Sequence, residues 1–291
     1  MPKEVLITGA SGSLGTALLL EAKKREASVL APSHREFDIT NYEACRKFAS
    51  GKTIDVILHT AALTDWNLCH TDIELALRVN TLGTINMARI ASEHEARLIL
   101  VSTDAVFKGT IKQKGYNEDD TPYSPVSFYG VTKLMGEIAA SQIAQSSYLI
   151  TRLGWLFGPN PKKDVKFVGA ILRQVSQGKT TIKAVYDKTG SPTYALHAAQ
   201  KLFEYIDQEK NGVRHVINGG AATRFEVAQE LAALWYPELH VIPVSSDEFP
   251  SVVKRPDYSV LVSNYPDAQM PHWKTAMQEY HEIYPGVKQF N

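Results

Sequence analysis

The sequence is poor in several features that would signal particular classes of protein. Its 291 residues include only two cysteines, Cys45 and Cys69, which are far apart and match no metal-ligand spacing. So few cysteines argue against a disulfide framework and favour a reducing compartment. Lys plus Arg and Asp plus Glu number 31 each, so no charge excess favours nucleic acid or an acidic membrane. We therefore predict neither a metal site nor a nucleic-acid interface.

Long apolar runs are also lacking. No stretch approaches the roughly 20 residues that a transmembrane helix needs. Met1, Pro2 and Lys3 lead directly into the apolar run Val5-Leu6-Ile7, so we expect no secretory signal peptide. A cytoplasmic protein without a membrane partner is the expectation. The chain is long enough for one large domain or two unequal ones.

The sequence is organised around a tyrosine and a lysine four residues apart, Tyr129 and Lys133. Apolar residues at helical spacing follow, so the two side chains should lie on one helix face, with Tyr129 in the first turn. A nearby ammonium favours the phenolate and should lower the tyrosine pKa. Taken alone, such a pair is more often an exposed tyrosine and a solvated lysine. Its chemical interpretation is a tyrosine that gives or takes a proton.

A glycine-rich turn lies near the N-terminus. The predicted strand Glu4 to Thr8 is followed by a turn and then by a helical apolar stripe, and the turn comprises Gly9, Ala10, Ser11, Gly12, Ser13, Leu14 and Gly15. Strand, glycine turn and helix in this order predict a dinucleotide pyrophosphate site, since glycines allow close approach and the helix N-terminus attracts anions. The alternative is an ordinary tight strand-to-helix turn.

Other residues bear on the cofactor. An acid that would bind a ribose is missing after the second predicted strand, Ser28 to Ala31, whereas Arg35 follows it and is suited to a 2′-phosphate. The cofactor is therefore NADPH or NADH, and Arg35 favours NADPH. Asp38 and Ile39 are placed to flank an adenine ring. Small residues, Ala61 and Ala62, follow the third predicted strand and would let the cofactor lie close to the backbone.

Strands and helices alternate up to residue 153, which predicts a Rossmann-like, doubly wound parallel sheet. We predict a dinucleotide-binding domain over 1–155, to which elements of 180–240 return. A smaller C-terminal substrate-binding lobe is expected over 156–180 and 241–291. The loop Gly158 to Lys163 carries local positive charge, and the polar loop between Gly109 and Pro125 is typical of an active-site lid.

Together these motifs resemble the extended short-chain dehydrogenase/reductases, and within them the dTDP-4-dehydrorhamnose reductase family. The resemblance runs nearly end to end, and its carrying stretches are Thr8-Gly9-x-x-Gly12-x-x-Gly15, Phe37-Asp38-Ile39-Thr40, Ala61-Ala62, Val79-Asn80-Thr81, Val101 to Phe107, Tyr129 to Glu137, Thr151 to Trp155, Gly190 to Ala195 and Arg255 to Leu261. One departure is Ala105, where the family usually has tyrosine.

The resemblance implies NAD(P)H-dependent reduction of the C4 ketone of dTDP-4-dehydrorhamnose to give dTDP-L-rhamnose. It implies the catalytic set Thr103, Tyr129 and Lys133, and substrate contacts of Thr103, Asp104, Tyr129, Trp155 and Arg255. It also implies cofactor contacts of the glycine turn, Asn80 and Lys133. Alternatives are a reductase or epimerase of another nucleotide sugar, and a dinucleotide-binding regulatory chain similar to the methionine adenosyltransferase β subunit. A homodimer is the assembly considered.

Overall fold

The structure is a computed structural model that describes residues 3–110, 114–144 and 147–290. The predicted lid between Gly109 and Pro125 is therefore described only in part, since residues 111–113 lie outside these ranges.

Six parallel strands form the central sheet, in the order β10-β5-β4-β3-β1-β2. Their bounds are β1 Glu4–Thr8, β2 Ser28–Leu30, β3 Val56–His59, β4 Arg97–Thr103, β5 Tyr148–Leu153 and β10 Gly212–His215. Val5 and Ile7 of β1 belong to the core on one face, and Leu6 belongs to the core on the other. Burial on both faces explains why these strands are apolar without alternation. The predicted doubly wound parallel sheet is confirmed.

The helices divide between the two faces of this sheet and a second core outside it. Their bounds are α1 Ser13–Lys24, α2 Tyr42–Ala49, α3 Trp66–Thr71, α4 Ile73–Ala76, α5 Gly83–Glu93, α6 Phe128–Ile143, α7 Phe167–Ser176, α8 Ala195–Asp207, α9 Arg224–Trp235 and α10 Trp273–Ile283. Helices α1 and α8 contact each other and share one core with the sheet, whereas α2, α5 and α6 contribute to the core on the opposite face. Helix α1 follows β1 and helix α6 follows β4. Both helices therefore begin at the edge of the sheet where the carboxyl ends of the parallel strands lie.

A π-helical segment, Leu77–Leu82, interrupts the helical stretch that runs from Ile73 to Glu93. It lies between α4 and α5 and contains Asn80, which is buried. Insertions of this kind commonly occur at functional sites because they turn a side chain away from its regular direction. Here the segment directs Asn80 toward the loop after β3.

A second core lies outside the central sheet. Helices α7, α9 and α10 surround it together with the parallel pair β7 Thr181–Val185 and β12 His240–Val244. Two short strand pairings complete the lobe, one between β6 Trp155–Phe157 and β9 Pro192–Tyr194 and one between β8 Thr189–Gly190 and β11 Ala222–Thr223. In contrast, α8 and β10 rejoin the central sheet. The exact division of the chain into two domains stays a proposal.

Within these described residues, no helix is both long enough and apolar enough to cross a membrane.

Candidate active site

The N-terminus of α6 lies against the carboxyl end of β4. Ser127 caps the helix by accepting from the Gly130 N–H at 3.2 Å. A Cβ on Gly130 would lie 2.1 Å from the Ala105 carbonyl oxygen, so only glycine allows helix and loop to come this close. This contact places Tyr129 beside the end of β4.

Tyr129 is buried and its hydroxyl forms a hydrogen bond with Thr103. Thr103 Oγ1 also donates to Asp104 Oδ1 at 3.0 Å and accepts from the Ala105 N–H at 3.2 Å. Burial raises the pKa of Tyr129, and Asp104 adds to this shift. The expected lowering of the tyrosine pKa is therefore wrong for this structure, because burial raises that pKa. The phenol keeps its proton at neutral pH, which suits a proton donor.

Lys133 lies one turn further along the same helix face and is also buried. Its Nζ donates to the Val101 carbonyl oxygen at 2.8 Å. Burial lowers the pKa of Lys133 to about 8, and the nearby Glu137 opposes that shift. Two further hydrogens of the ammonium remain for a ligand such as a ribose hydroxyl.

This pKa leads to a prediction for cofactor affinity. The protonated Lys133 is the form that donates to the ribose, so affinity for NADPH should fall as the pH rises through about 8. The fall should approach tenfold per pH unit above that value, since binding would then require uptake of one proton. Fluorescence titrations across this range measure it. The Lys133→Met variant should bind more weakly and lose this dependence, and a flat wild-type profile would contradict the prediction.

The glycine turn has the shape of a phosphate cradle. Gly9 has φ +70°, and a Cβ there would lie 2.7 Å from the Ala61 N. A Cβ on Gly15 would lie 2.2 Å from the Gly9 carbonyl oxygen. By contrast, a Cβ on Gly12 would meet only that same oxygen, at 3.4 Å, and would otherwise enter open space. The residues present therefore fit a dinucleotide, whose pyrophosphate would occupy the space beside Gly12 at the start of α1.

We expect Gly12→Val to abolish binding of NADPH and NADH while leaving the protein folded. The branched side chain would fill the space that the phosphates need, yet it contacts little of the protein itself. Titration of cofactor fluorescence, with circular dichroism as the folding check, measures both results. Cofactor affinity equal to wild type in the folded variant would show that the glycine turn does not bind the pyrophosphate.

The other predicted cofactor residues belong to the loop after β2 and to the glycine turn itself. Arg35 is exposed in the turn after β2, and the adjacent Glu36 carboxylate instead accepts from Ser33 N–H and Oγ–H. Asp38 accepts from the backbone and hydroxyl of Thr40, and Ile39 is buried against Gly83. Ser11 and Ser13 contact a loop of the second lobe, and Leu14 is a core residue. Their cofactor contacts stay predictions.

Asn80 differs from the others. Its amide accepts from the Leu63 N–H at 2.8 Å and donates to the Leu63 carbonyl oxygen at 3.1 Å and to Thr132 Oγ1 at 3.1 Å. These bonds join the loop that begins with Ala61 and Ala62 to α6. Because the side chain is buried and committed to protein groups, it braces the site. The predicted direct contact of Asn80 with the cofactor stays untested.

Two arginines stack on tryptophan rings. The Arg255 Cζ lies 4.1 Å from the ring centroid of Trp66, whose ring in turn lies 5.4 Å from that of Tyr129. The Arg224 Cζ lies 3.7 Å from the ring centroid of Trp155. Of the predicted substrate residues, Arg255 is connected to Tyr129 through Trp66, whereas Trp155 contacts Arg224. Their substrate contacts stay predictions.

Sequence reasoning missed Trp66 and Arg224. Trp66 packs against a small cluster that contains Ala105 and Tyr129. Arg224 interacts electrostatically with Asp104, and burial lowers the pKa of its guanidinium to about 9, so it stays charged at neutral pH. The only sequence signal for Arg224 is the capping box of Thr223 and Glu226, which marks the start of α9. That signal says nothing about where the arginine points.

Comparisons with known proteins agree with this geometry. A family model described as RmlD substrate binding domain matches residues 3–284. The dTDP-4-dehydrorhamnose reductase of Mycolicibacterium smegmatis is 33% identical over 286 residues, which cover 96% of this chain and 85% of that protein. The crystal structure of a dTDP-4-dehydrorhamnose reductase from Clostridium acetobutylicum has a TM-score of 0.89 and 31% identity, covering 96% of this chain and 99% of its own. A dTDP-4-dehydrorhamnose reductase from Bacillus anthracis, solved in complex with NADP, also has a TM-score of 0.89, with 30% identity and coverage of 97% and 100%.

Proposed function

Because the chain belongs to the RmlD family of dTDP-4-dehydrorhamnose reductases, we propose that it reduces the C4 ketone of a nucleotide-linked 6-deoxy-4-keto-hexose. The substrate favoured is dTDP-4-dehydrorhamnose, and the product is dTDP-L-rhamnose. NADPH or NADH, when bound, supplies the hydride for this reduction. The observation that carries the proposal is the buried Tyr129 hydroxyl, hydrogen-bonded to Thr103 one helical turn from Lys133.

Each of the three residues Tyr129, Thr103 and Lys133 has a separate role in the reduction. Tyr129 donates its proton to the C4 oxygen as negative charge develops there, and its raised pKa keeps that proton available. Thr103 turns its hydroxyl hydrogen from Asp104 Oδ1 to the same oxygen and orients it. Lys133 holds the nicotinamide ribose through the hydrogens not used by Val101. These groups stabilise the transition state more than the ketone, which is the requirement for catalysis.

The arginine–tryptophan stacks favour a substrate that is bound through a nucleoside diphosphate group. Stacking on Trp66 and Trp155 holds the two guanidinium planes in place, and planar guanidinium groups donate to phosphate in pairs. Asp104 balances part of this charge from within the site. We therefore assign Arg224 and Arg255 to the diphosphate, and Trp155 to a face of the sugar.

A panel of nucleotide 4-keto-sugars, assayed by the loss of NADPH absorbance, tests this function. We expect oxidation of NADPH with the dTDP-linked 6-deoxy-4-keto-hexose and slower turnover with other bases or sugars. Cofactor binding without turnover of any sugar on the panel would instead support the regulatory alternative. Turnover of a different 4-keto-sugar alone would keep the reaction and change the substrate.

The preference between the two cofactors gives a further prediction. A 2′-phosphate paired with Arg35 should contribute about 1–3 kcal/mol through charge-assisted bonds, so wild type should bind NADPH roughly 5–150-fold more tightly than NADH. The Arg35→Ala variant should lose that difference while its affinity for NADH is unchanged. Dissociation constants of both cofactors for both proteins measure it. Equal affinities in the wild-type protein would reject the preference.

Location and assembly complete the proposal. We propose a cytoplasmic enzyme, since nucleotide sugars and nicotinamide cofactors are used there, and a homodimer as its assembly. Cell fractionation and light scattering would test these two statements independently of the activity.

A further inference from the structure

A loop of the second lobe contacts the glycine turn through a pair of reciprocal hydrogen bonds. Ser13 Oγ donates to the Lys163 carbonyl oxygen at 2.7 Å, and Lys163 Nζ donates to the Ser11 carbonyl oxygen at 2.8 Å. The two segments are about 150 residues apart in the chain. The glycine motif by itself does not require this contact. The contact places the positive charge of Lys163 beside the space where a pyrophosphate would bind.

Hydrogen bonds within its own loop fix the backbone position of Lys163. Lys163 N–H donates to the Asn160 side chain at 3.1 Å. The next residue, Asp164, is buried and accepts from the Gly158 N–H at 3.0 Å. A Cβ on Gly169 would lie 1.9 Å from the Asp164 carbonyl oxygen, so α7 packs tightly against this end of the loop. The position of Lys163 is therefore built into the fold.

The charge of Lys163 is only partly compensated by its partner. The Ser11 carbonyl is a neutral dipole that accepts one of the three ammonium hydrogens. Helix α1 begins beside it with Gly12 as N-cap, and its first turn contains no acidic residue. The start of α1 is thus electropositive, and Lys163 adds a full charge to it. A dianionic group beside Gly12 would be attracted both by the N-terminus of α1 and by the Lys163 ammonium.

We propose that Lys163 is a cofactor-binding residue, which contributes a charged ligand to the dinucleotide pyrophosphate from the second lobe. The inference rests on the proposed cofactor and adds a residue from outside the glycine motif. Because the pyrophosphate is common to NADPH and NADH, Lys163 serves both equally, whereas Arg35 serves only the 2′-phosphate. Cofactor binding then strengthens the contact between the glycine turn and the lobe that binds the substrate.

Binding titrations on the full chain test the proposal without any turnover. The variants are Lys163→Met and the control Lys162→Met, which changes the exposed neighbouring lysine. The probes are NADPH and NADH by fluorescence, and ADP and adenosine by competition with NADPH. We expect Lys163→Met to lower the affinity for NADPH, NADH and ADP by on the order of tenfold, because the variant loses a charge-assisted bond to phosphate. Adenosine affinity, and every affinity of Lys162→Met, should equal wild type.

Two more variants separate a phosphate ligand from a simple loop contact. Lys163→Gln retains a donor for the Ser11 carbonyl but loses the charge, whereas Lys163→Arg keeps the charge. We expect arginine to restore most of the affinity and glutamine to restore little, with a weaker salt dependence in the glutamine variant. Wild-type affinity in Lys163→Gln or Lys163→Met overturns this inference alone. A wild-type protein that binds neither NADPH nor ADP overturns the proposed cofactor as well.

Discussion

The Tyr129→Phe variant should lose about 10²–10⁴-fold in kcat, the usual contribution of a positioned general acid. The phenol is buried and bonded to Thr103, and burial raises its pKa, so it carries the proton that the C4 oxygen needs. Phenylalanine keeps the ring contact with Trp66 and therefore the shape of the pocket. Affinity for NADPH should be unchanged, because the hydroxyl acts mainly when charge develops in the transition state. Steady-state rates with the dTDP-linked 4-keto-sugar, together with NADPH titration, measure both quantities.

The control for this experiment is Tyr186→Phe. Tyr186 is 52% exposed, so loss of its hydroxyl should leave kcat and NADPH affinity at wild-type values. If Tyr129→Phe turns over as fast as this control, the proton comes from another group. If Tyr129→Phe also loses the cofactor, the hydroxyl belongs to the binding site and its assignment as acid would need revision.

Features that depend on local sequence were predictable. Strand β1, the turn of Gly9, Gly12 and Gly15, and helix α1 follow one another within about 20 residues, and each has its own pattern. The same holds for α6, where helical spacing places Tyr129 and Lys133 on one face. Close packing of the turn against Ala61 explains why glycine is needed at Gly9. Local constraints of this kind leave a recognisable signature in a single sequence.

Features that depend on contacts between distant segments were not predictable. Lys163 meets Ser11 and Ser13 only because the second lobe folds back over the turn. Arg224 reaches Trp155 across a separation of 69 residues, and the pattern of α9 gives only its start. The predicted effect of lysine on the tyrosine pKa also failed for this reason. It considered the neighbouring charge and omitted burial, which is set by the whole fold.

Helix α6 is anchored by a buried ion pair that also depends on distant segments. Glu137 accepts from Arg152 Nε at 3.0 Å and from Nη2 at 2.8 Å, and both side chains are only 4% exposed. The Arg152 guanidinium also lies over the ring of Phe107, 5.0 Å from its centroid. The pair joins the helix that carries Tyr129 to strand β5 beneath it. Its geometry is bidentate, the arrangement in which such pairs are strongest.

We expect Glu137→Ala to lower the free energy of unfolding by about 3–5 kcal/mol, since it leaves the Arg152 charge buried without its partner. Urea denaturation measures the loss. Glu248→Ala is the matched control, because its pair with Lys183 at 2.7 Å is exposed on both sides and should contribute only about 0–1 kcal/mol. The double variant Glu137→Leu with Arg152→Met should recover most of the stability, because no unpaired charge remains. A Glu137→Ala loss no larger than that of the control would show that the Arg152 charge finds water or another partner, and that the pair does not anchor the catalytic helix.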